Sequence, residues 1–272
     1  MVILVNYLKL VVVFSNNKLY ILPIKPIIMI EYVLLGIIQG IFEWIPISSE
    51  GVISLTSQLL IKGTNPVDIA IFLHLGTLLA VMVYFWKDWL AVLTLKNKPL
   101  FRFLFISTII SLLVGYPVYS IIKDTTIGAA LLLVTGVGLL FTSYFHRKKM
   151  YSKVSKTNLA IITGCLQGLS VIPGLSRSGS TIFGLSLGDL SPSEVLKYSY
   201  MMSAPVVLAS AAFVYIQNPS LTNGWPSLIS GFVIGLLSLS FITRISKKIN
   251  FSVFALVFAI LCLIGAGIGF LL

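Results

Sequence analysis

The sequence predicts an all-α polytopic membrane protein of two inverted repeats, each a re-entrant helix pair followed by three transmembrane helices. Three observations carry that prediction. The 272 residues are 57% hydrophobic and only 10% charged, whereas soluble domains are about one-quarter charged. The apolar residues form long runs, and the basic residues behind the net charge of +11 gather in short loops between them. The same order of runs and polar motifs then occurs twice. Basic loops of this kind serve topology and anionic headgroups rather than nucleic acid. Cys165 and Cys262 stand far apart in apolar surroundings, which excludes a disulfide scaffold.

Residues 1–28 are apolar runs broken by Lys9, Asn16-Asn17-Lys18, Pro23 and Pro26, an extension expected to be disordered or to form an extra helix. The single membrane domain is 29–272. Its first repeat, 29–145, opens with 31–47, which is short for a span of about 20 apolar residues and ends in Ser48-Ser49-Glu50-Gly51. With 52–60 as return arm it reads as a re-entrant pair, whose irregular tip is tolerated only inside protein or a wet cavity. Spans follow at 67–86, 103–122 and 127–145, with 87–102 as a charged loop. After the basic loop 146–158 the second repeat, 159–272, takes the same course: a re-entrant pair at 159–172 and 181–187, then spans at 195–216, 228–245 and 251–272.

Residue identities support the duplication. Gly36, Gln39-Gly40 and Ile45-Pro46 with serines stand beside Gly164, Gln167-Gly168 and Ile172-Pro173 with serines, and Pro66-Val67-Asp68 beside Pro192-Ser193-Glu194. An odd number of spans per repeat turns the second upside down, the layout in which broken helices meet near the midplane. Loops 87–102, 146–158 and 244–250 hold most of the Lys and Arg and so face the cytoplasm.

Charged side chains at membrane depth need a reason, and Glu43 and Arg177 fall at the tips of the two re-entrant segments. A structural ion pair between the repeats would account for these two. It leaves unexplained the polar groups around them: Gln39, Ser48, Ser49 and Glu50 on one side, Ser176, Ser178, Ser180 and Thr181 on the other. Gln39 and Glu43, four residues apart, share a helix face and could hold a divalent cation or a water. Arg177 can clamp two phosphate oxygens, and a return helix starting near Ser178 aims free N–H groups at the same anion. The serines are candidate nucleophiles or phosphate ligands, with Glu43 as base or metal ligand, a set suited to phosphoryl transfer. His74 reads either as a hydrogen-bonded core residue or as a site residue, and Tyr198, Tyr200, Met201 and Met202 read as packing.

The segments Gln39-Gly40-Ile41-Phe42-Glu43-Trp44-Ile45-Pro46-Ile47-Ser48-Ser49 and Pro173-Gly174-Leu175-Ser176-Arg177-Ser178-Gly179-Ser180-Thr181 resemble the two signature motifs of the undecaprenyl-pyrophosphate phosphatase, or bacitracin-resistance, family. Lesser matches run through His74-Leu75-Gly76-Thr77 and Tyr198 to Pro205, and the likeness covers 29 to the C-terminus. The resemblance implies a multi-pass enzyme of the cell membrane, commonly a homodimer, that hydrolyses a polyprenyl diphosphate lipid to the monophosphate with a divalent metal ion, Mg or Ca. Carried onto this chain, Glu43 becomes metal ligand or base, Gln39 its partner at the metal, and Ser49 a nucleophile or phosphate contact. Ser48, Gly174, Ser176, Arg177, Ser178 and Thr181 become the diphosphate cradle. The chain departs from the pattern at Val52, where the family usually has a histidine, and at Glu50, where it has a small residue. Either Glu43 or Glu50 then handles the proton, metal-bound water attacks, or activity is low. A second reading is a polyprenyl-phosphate flippase or anion transporter using the same repeats; a third makes the motifs helix contacts only.

Overall fold

The computed structural model describes residues 2–5, 10–15, 18–23, 26–45, 49–61, 66–122, 129–148, 154–172, 175–217, 224–248 and 250–271, with side chains from residue 30 on at most of these positions. From Pro26 onward the secondary structure of the described residues is helical: α1 (Pro26–Phe42), α2 (Ser49–Leu60), α3 (Pro66–Tyr84), α4 (Trp86–Leu93), α5 (Lys98–Ile122), α6 (Ala129–Arg147), α7 (Lys156–Leu169), α8 (Arg177–Ser186), α9 (Pro192–Gln217), α10 (Trp225–Ser246) and α11 (Phe251–Leu271).

Strands are confined to the extension. β1 (Val2–Val5), β2 (Leu10–Ser15) and β3 (Lys18–Pro23) form an antiparallel sheet in that order, with Val2 opposite Val13 and Ser15 opposite Lys18. This differs from the expected disorder or extra helix. The runs are too short for a stable helix, are rich in Val and Ile, which suit a pleated strand, and are separated at Asn16-Asn17 by residues that tight hairpins favour.

Among the described residues, three helical stretches are long and apolar enough to cross a membrane: Lys98–Ile121, Pro192–Ile216 and Trp225–Ser246. A fourth candidate is the pair α3 and α4, bent by 81° at Phe85. The segment expected as a loop over 87–102 therefore contains a helix. α4 buries Trp89 and Val92 and leaves Trp86, Leu90 and Leu93 exposed, with charged Lys87 and Asp88 beside them, the composition of a helix lying at a membrane interface. The loop also ends early, because Asn97 caps α5: its Oδ1 accepts from Leu100 N at 3.1 Å, and Pro99 is tolerated in a first turn whose N–H groups have no helical partner. α9 begins at Pro192, three residues before the expected span at 195–216. Ser191 and Glu194 form a capping box, Ser191 N donating to Glu194 Oε2 at 2.9 Å and Glu194 N to Ser191 Oγ at 3.4 Å.

The helices pair as α1 with α10, α3 with α10 and α9, α5 with α7 and α9, and α6 with α11. Glycines bring two of these pairs unusually close. A Cβ on Gly36 would stand 2.2 Å from Ser227 O, and one on Gly40 2.7 Å from Gly235 N, so α1 runs parallel to α10 in near backbone contact. Likewise Gly164 lies against Ser107 and Ile110, and Gly168 against Ser111 and Val114, so α7 runs parallel to α5. Serines tie the same crossings, Ser238 Oγ donating to Gly40 O at 2.5 Å and Ser111 Oγ to Gly164 O at 3.0 Å.

Candidate active site

α1 ends where the chain turns at 43–45, just before Pro46, which cannot continue a helix hydrogen-bond ladder. The turn is held by the second half of the chain. Trp44 Nε1 donates to Gly235 O at 2.9 Å, Tyr200 Oη to Trp44 O at 3.0 Å, and Ser178 Oγ to Ile45 O at 3.3 Å. Tyr200, expected as packing alone, also stacks edge-on against Trp44 with ring centroids 5.1 Å apart. The tip is thereby fixed opposite the start of α8.

There the two expected charges meet. Arg177 Nη2 is paired with Glu43 Oε1, and both side chains are largely buried. The other carboxylate oxygen, Oε2, accepts from Gln39 Nε2 at 2.7 Å and Ser49 Oγ at 3.1 Å. It also faces His74 Nε2 at 3.2 Å. His74, which the sequence leaves open between core and site, is thus brought to the site from the middle of α3. Ser176 caps α8, its Oγ accepting from Gly179 N at 3.2 Å, and lies 3.3 Å from Ser178 Oγ. Glu43, Ser49, His74, Ser176, Arg177 and Ser178 line one polar cavity of about 10 Å³, near the minimum that admits one water, roughly 10–15 Å³.

Not every expected residue joins them. Thr181 turns away: its Oγ1 donates to Arg177 O at 2.9 Å and lies 2.6 Å from Ser199 Oγ on α9. It braces α8 from behind. Ser48 and Gly174 fall outside the described residues, and of Glu50 only the backbone, in the first turn of α2, is described.

Two buried polar atoms at this site have no partner among the described residues: Gln39 Oε1 and Arg177 Nη1. An orphaned guanidinium nitrogen is a donor set for an anion, and an orphaned amide oxygen beside a carboxylate is a donor set for a hard cation. His74 and Arg177 also line a second cavity of about 290 Å³, mostly apolar, between α5, α7 and α9. Tyr116, Tyr119 and Phe213 line it too, their rings in edge-on contact at 6.4 and 6.1 Å.

This arrangement can be set beside known proteins. The family model for bacitracin resistance protein BacA matches residues 32–264. The chain belongs to the BacA family. The match takes in both halves of the Glu43–Arg177 site and leaves out the strands of the extension. Among BacA-family relatives, a protein named undecaprenyl-diphosphatase from Methanococcoides burtonii is 32% identical over 248 residues, covering 83% of this chain and 94% of its own. Another of that name, from Thermosipho africanus, is 34% identical over 247 residues, covering 85% of this chain and 98% of its own.

Proposed function

We propose that the protein is a multi-pass phosphatase of the cell membrane that hydrolyses a polyprenyl diphosphate of the undecaprenyl type to the monophosphate and inorganic phosphate. The observation that carries this reading is the buried Glu43–Arg177 pair, a carboxylate and a guanidinium in one polar cavity at the start of a helix, in a chain whose relatives are named for that reaction. The transporter alternative finds no support in those names.

The chemistry follows from the groups present. The terminal phosphate binds at the start of α8, where backbone N–H groups and the helix dipole favour an anion, and Arg177 Nη1 gains the acceptor it lacks. Drawing Arg177 onto phosphate frees Glu43 Oε1, which takes the proton of a water attacking the terminal phosphorus. The bridging P–O bond breaks and its electron pair leaves on the prenyl monophosphate. Ser49, Ser176 and Ser178 keep the phosphate in line, and the prenyl tail runs into the apolar cavity beside Arg177 and His74. A divalent cation fits the orphaned Gln39 Oε1 together with Glu43. Held there by Gln39 and Glu43, such an ion would neutralise diphosphate charge and acidify a water. Among the described residues there is no group of three or more His, Cys, Asp or Glu suited to a metal, so Gln39 and Glu43 would hold an ion only together with substrate and water, as is usual for Mg.

The membrane domain is read further as two inverted repeats, with α1–α2 and α7–α8 as re-entrant pairs. At about 1.5 Å per residue, these helices of 17, 12, 14 and 10 residues are shorter than a bilayer core of about 30 Å. Exchanging α1, α2, α3, α5 and α6 with α7, α8, α9, α10 and α11 turns the pairing α1–α10 into α7–α5 and α3–α10 into α9–α5, and leaves α6–α11 and α3–α9 unchanged. Homodimer formation belongs to the same proposal.

The test is phosphate release from undecaprenyl diphosphate by purified protein in detergent with Mg. Wild type should release phosphate and stop in EDTA, and Arg177→Ala and Glu43→Gln should be inactive yet folded. Turnover like wild type in both variants would overturn the assignment.

A further inference from the structure

We infer that His74 is a positioning residue that fixes which oxygen of Glu43 faces the reacting phosphate; the inference rests on the phosphatase reading above. Glu43 is 4% exposed and His74 6%, so water does not compete strongly for their contact. Three donors converge on Oε2 from three segments: Gln39 Nε2 on α1 at 2.7 Å, Ser49 Oγ on α2 at 3.1 Å and His74 Nε2 on α3 at 3.2 Å. A carboxylate offers about four lone-pair sites over its two oxygens, so Oε2 is saturated and Oε1 is left, among the described residues, with Arg177.

His74 is the rigid member of the three. Ala70 O and the Glu43 carboxylate only accept, so both ring nitrogens carry protons and the ring is an imidazolium: Nδ1 donates to Ala70 O at 2.6 Å, one turn back along α3, Nε2 donates to Glu43, and a ring held on both sides neither flips nor swings. Gln39 and Ser49 are tethered to the same stretch of chain as Glu43 and move with it; His74 is the member held from outside that stretch. Rotation about the terminal bond of a glutamate is soft and roughly two-fold. A carboxylate without His74 is free to exchange its oxygens or to follow Arg177 when that side chain turns to the diphosphate. With His74 in place, Oε1 alone is vacated, at the polar cavity that Glu43, Ser49, His74 and Arg177 line. The chain has valine at position 52, so this imidazole comes from α3 and not from the first motif.

The experiment compares His74→Ala, His74→Asn and His74→Gln in the undecaprenyl diphosphate assay, with thermal unfolding in the same detergent. A glutamine amide places its nitrogen near the position of imidazole Nε2, whereas an asparagine amide reaches only to Nδ1. The Ala and Asn variants should lose kcat about 10- to 100-fold, the usual effect of removing a group that orients a metal or catalytic ligand. KM and unfolding midpoint should change little, and Gln should keep most of the rate. Wild-type kcat in His74→Ala, a defect confined to KM, or a folded His74→Gln as slow as His74→Ala each overturns the inference while the phosphatase reading stands. No release by wild type overturns both.

Discussion

At the scale of single residues the site depends on the shape of its charges as much as on their sign. Arg177 uses Nη2 on Glu43 and leaves Nη1 without a partner among the described residues, a division that one ammonium nitrogen cannot make. Arg177→Lys should therefore retain the pair with Glu43 and near-normal thermal stability but lose one charged hydrogen bond to phosphate. Such a bond is worth about 1.5–3 kcal/mol, so kcat/KM should fall roughly ten- to a hundredfold in the phosphate-release assay. A lysine variant as efficient as wild type would mean that only net charge matters. Glu43, Gln39, Ser49 and Arg177 were legible in the sequence because a charge or amide amid apolar residues is conspicuous. His74 was legible only as a candidate, since its distance from Glu43 is set by how α3 packs against the turn at 43–45. The direction of Thr181 was equally hidden: nothing in the motif says that its hydroxyl is spent on Ser199.

At the scale of elements, close helix contact puts the two tips where they are. Gly36 and Gly40 let α1 approach α10, and a methyl at Gly36 would lie 2.1 Å from Ser230 Oγ and 2.2 Å from Ser227 O. Gly36→Ala should push the pair apart and lower the unfolding midpoint, since overpacking costs about 1–3 kcal/mol. It should also impair phosphate release, because α1 carries Gln39 and leads into Glu43. Gly138→Ala on α6, whose nearest neighbour would be 3.8 Å away, is the control. It should be neutral or stabilising, alanine being favoured over glycine in a helix by up to about 1 kcal/mol. Equal midpoints for the two variants would contradict the close approach. The long apolar helices were legible from hydropathy alone. The strands of the extension and α4 were not, because both rest on short runs whose partners or environment decide their form; the Asn97 cap of α5 was present in the sequence but lay within a stretch read as loop.

At the scale of the whole molecule, the proposed inversion of the two repeats requires equivalent turns to emerge on opposite faces of the membrane. Ile61 follows α2 and Ser191 follows α8, the return helices that the proposed repeats make equivalent. Ser191 precedes α9, whose Lys197 is paired with Asp88 of α4, so it belongs with the basic face. Near the other face, the start of α10 is tied to the start of α1 by Ser230 Oγ donating to Val33 O at 3.0 Å. In a background with Cys165 and Cys262 replaced by alanine, Ile61→Cys should react with a membrane-impermeant maleimide added to intact cells. Ser191→Cys and Lys96→Cys should react only after the membrane is opened, since the positive-inside bias places the loop of Lys96 in the cytoplasm and the Lys197–Asp88 pair puts Ser191 on the same side. Labelling of positions 61 and 191 from the same side would rule out inversion even if phosphatase activity were intact. The distinction matters for the mechanism: with inversion the Glu43 tip and the Arg177 tip enter from opposite faces, and a site assembled between them lies within the membrane, where an isoprenoid tail can stay in an apolar cavity while its diphosphate is cleaved.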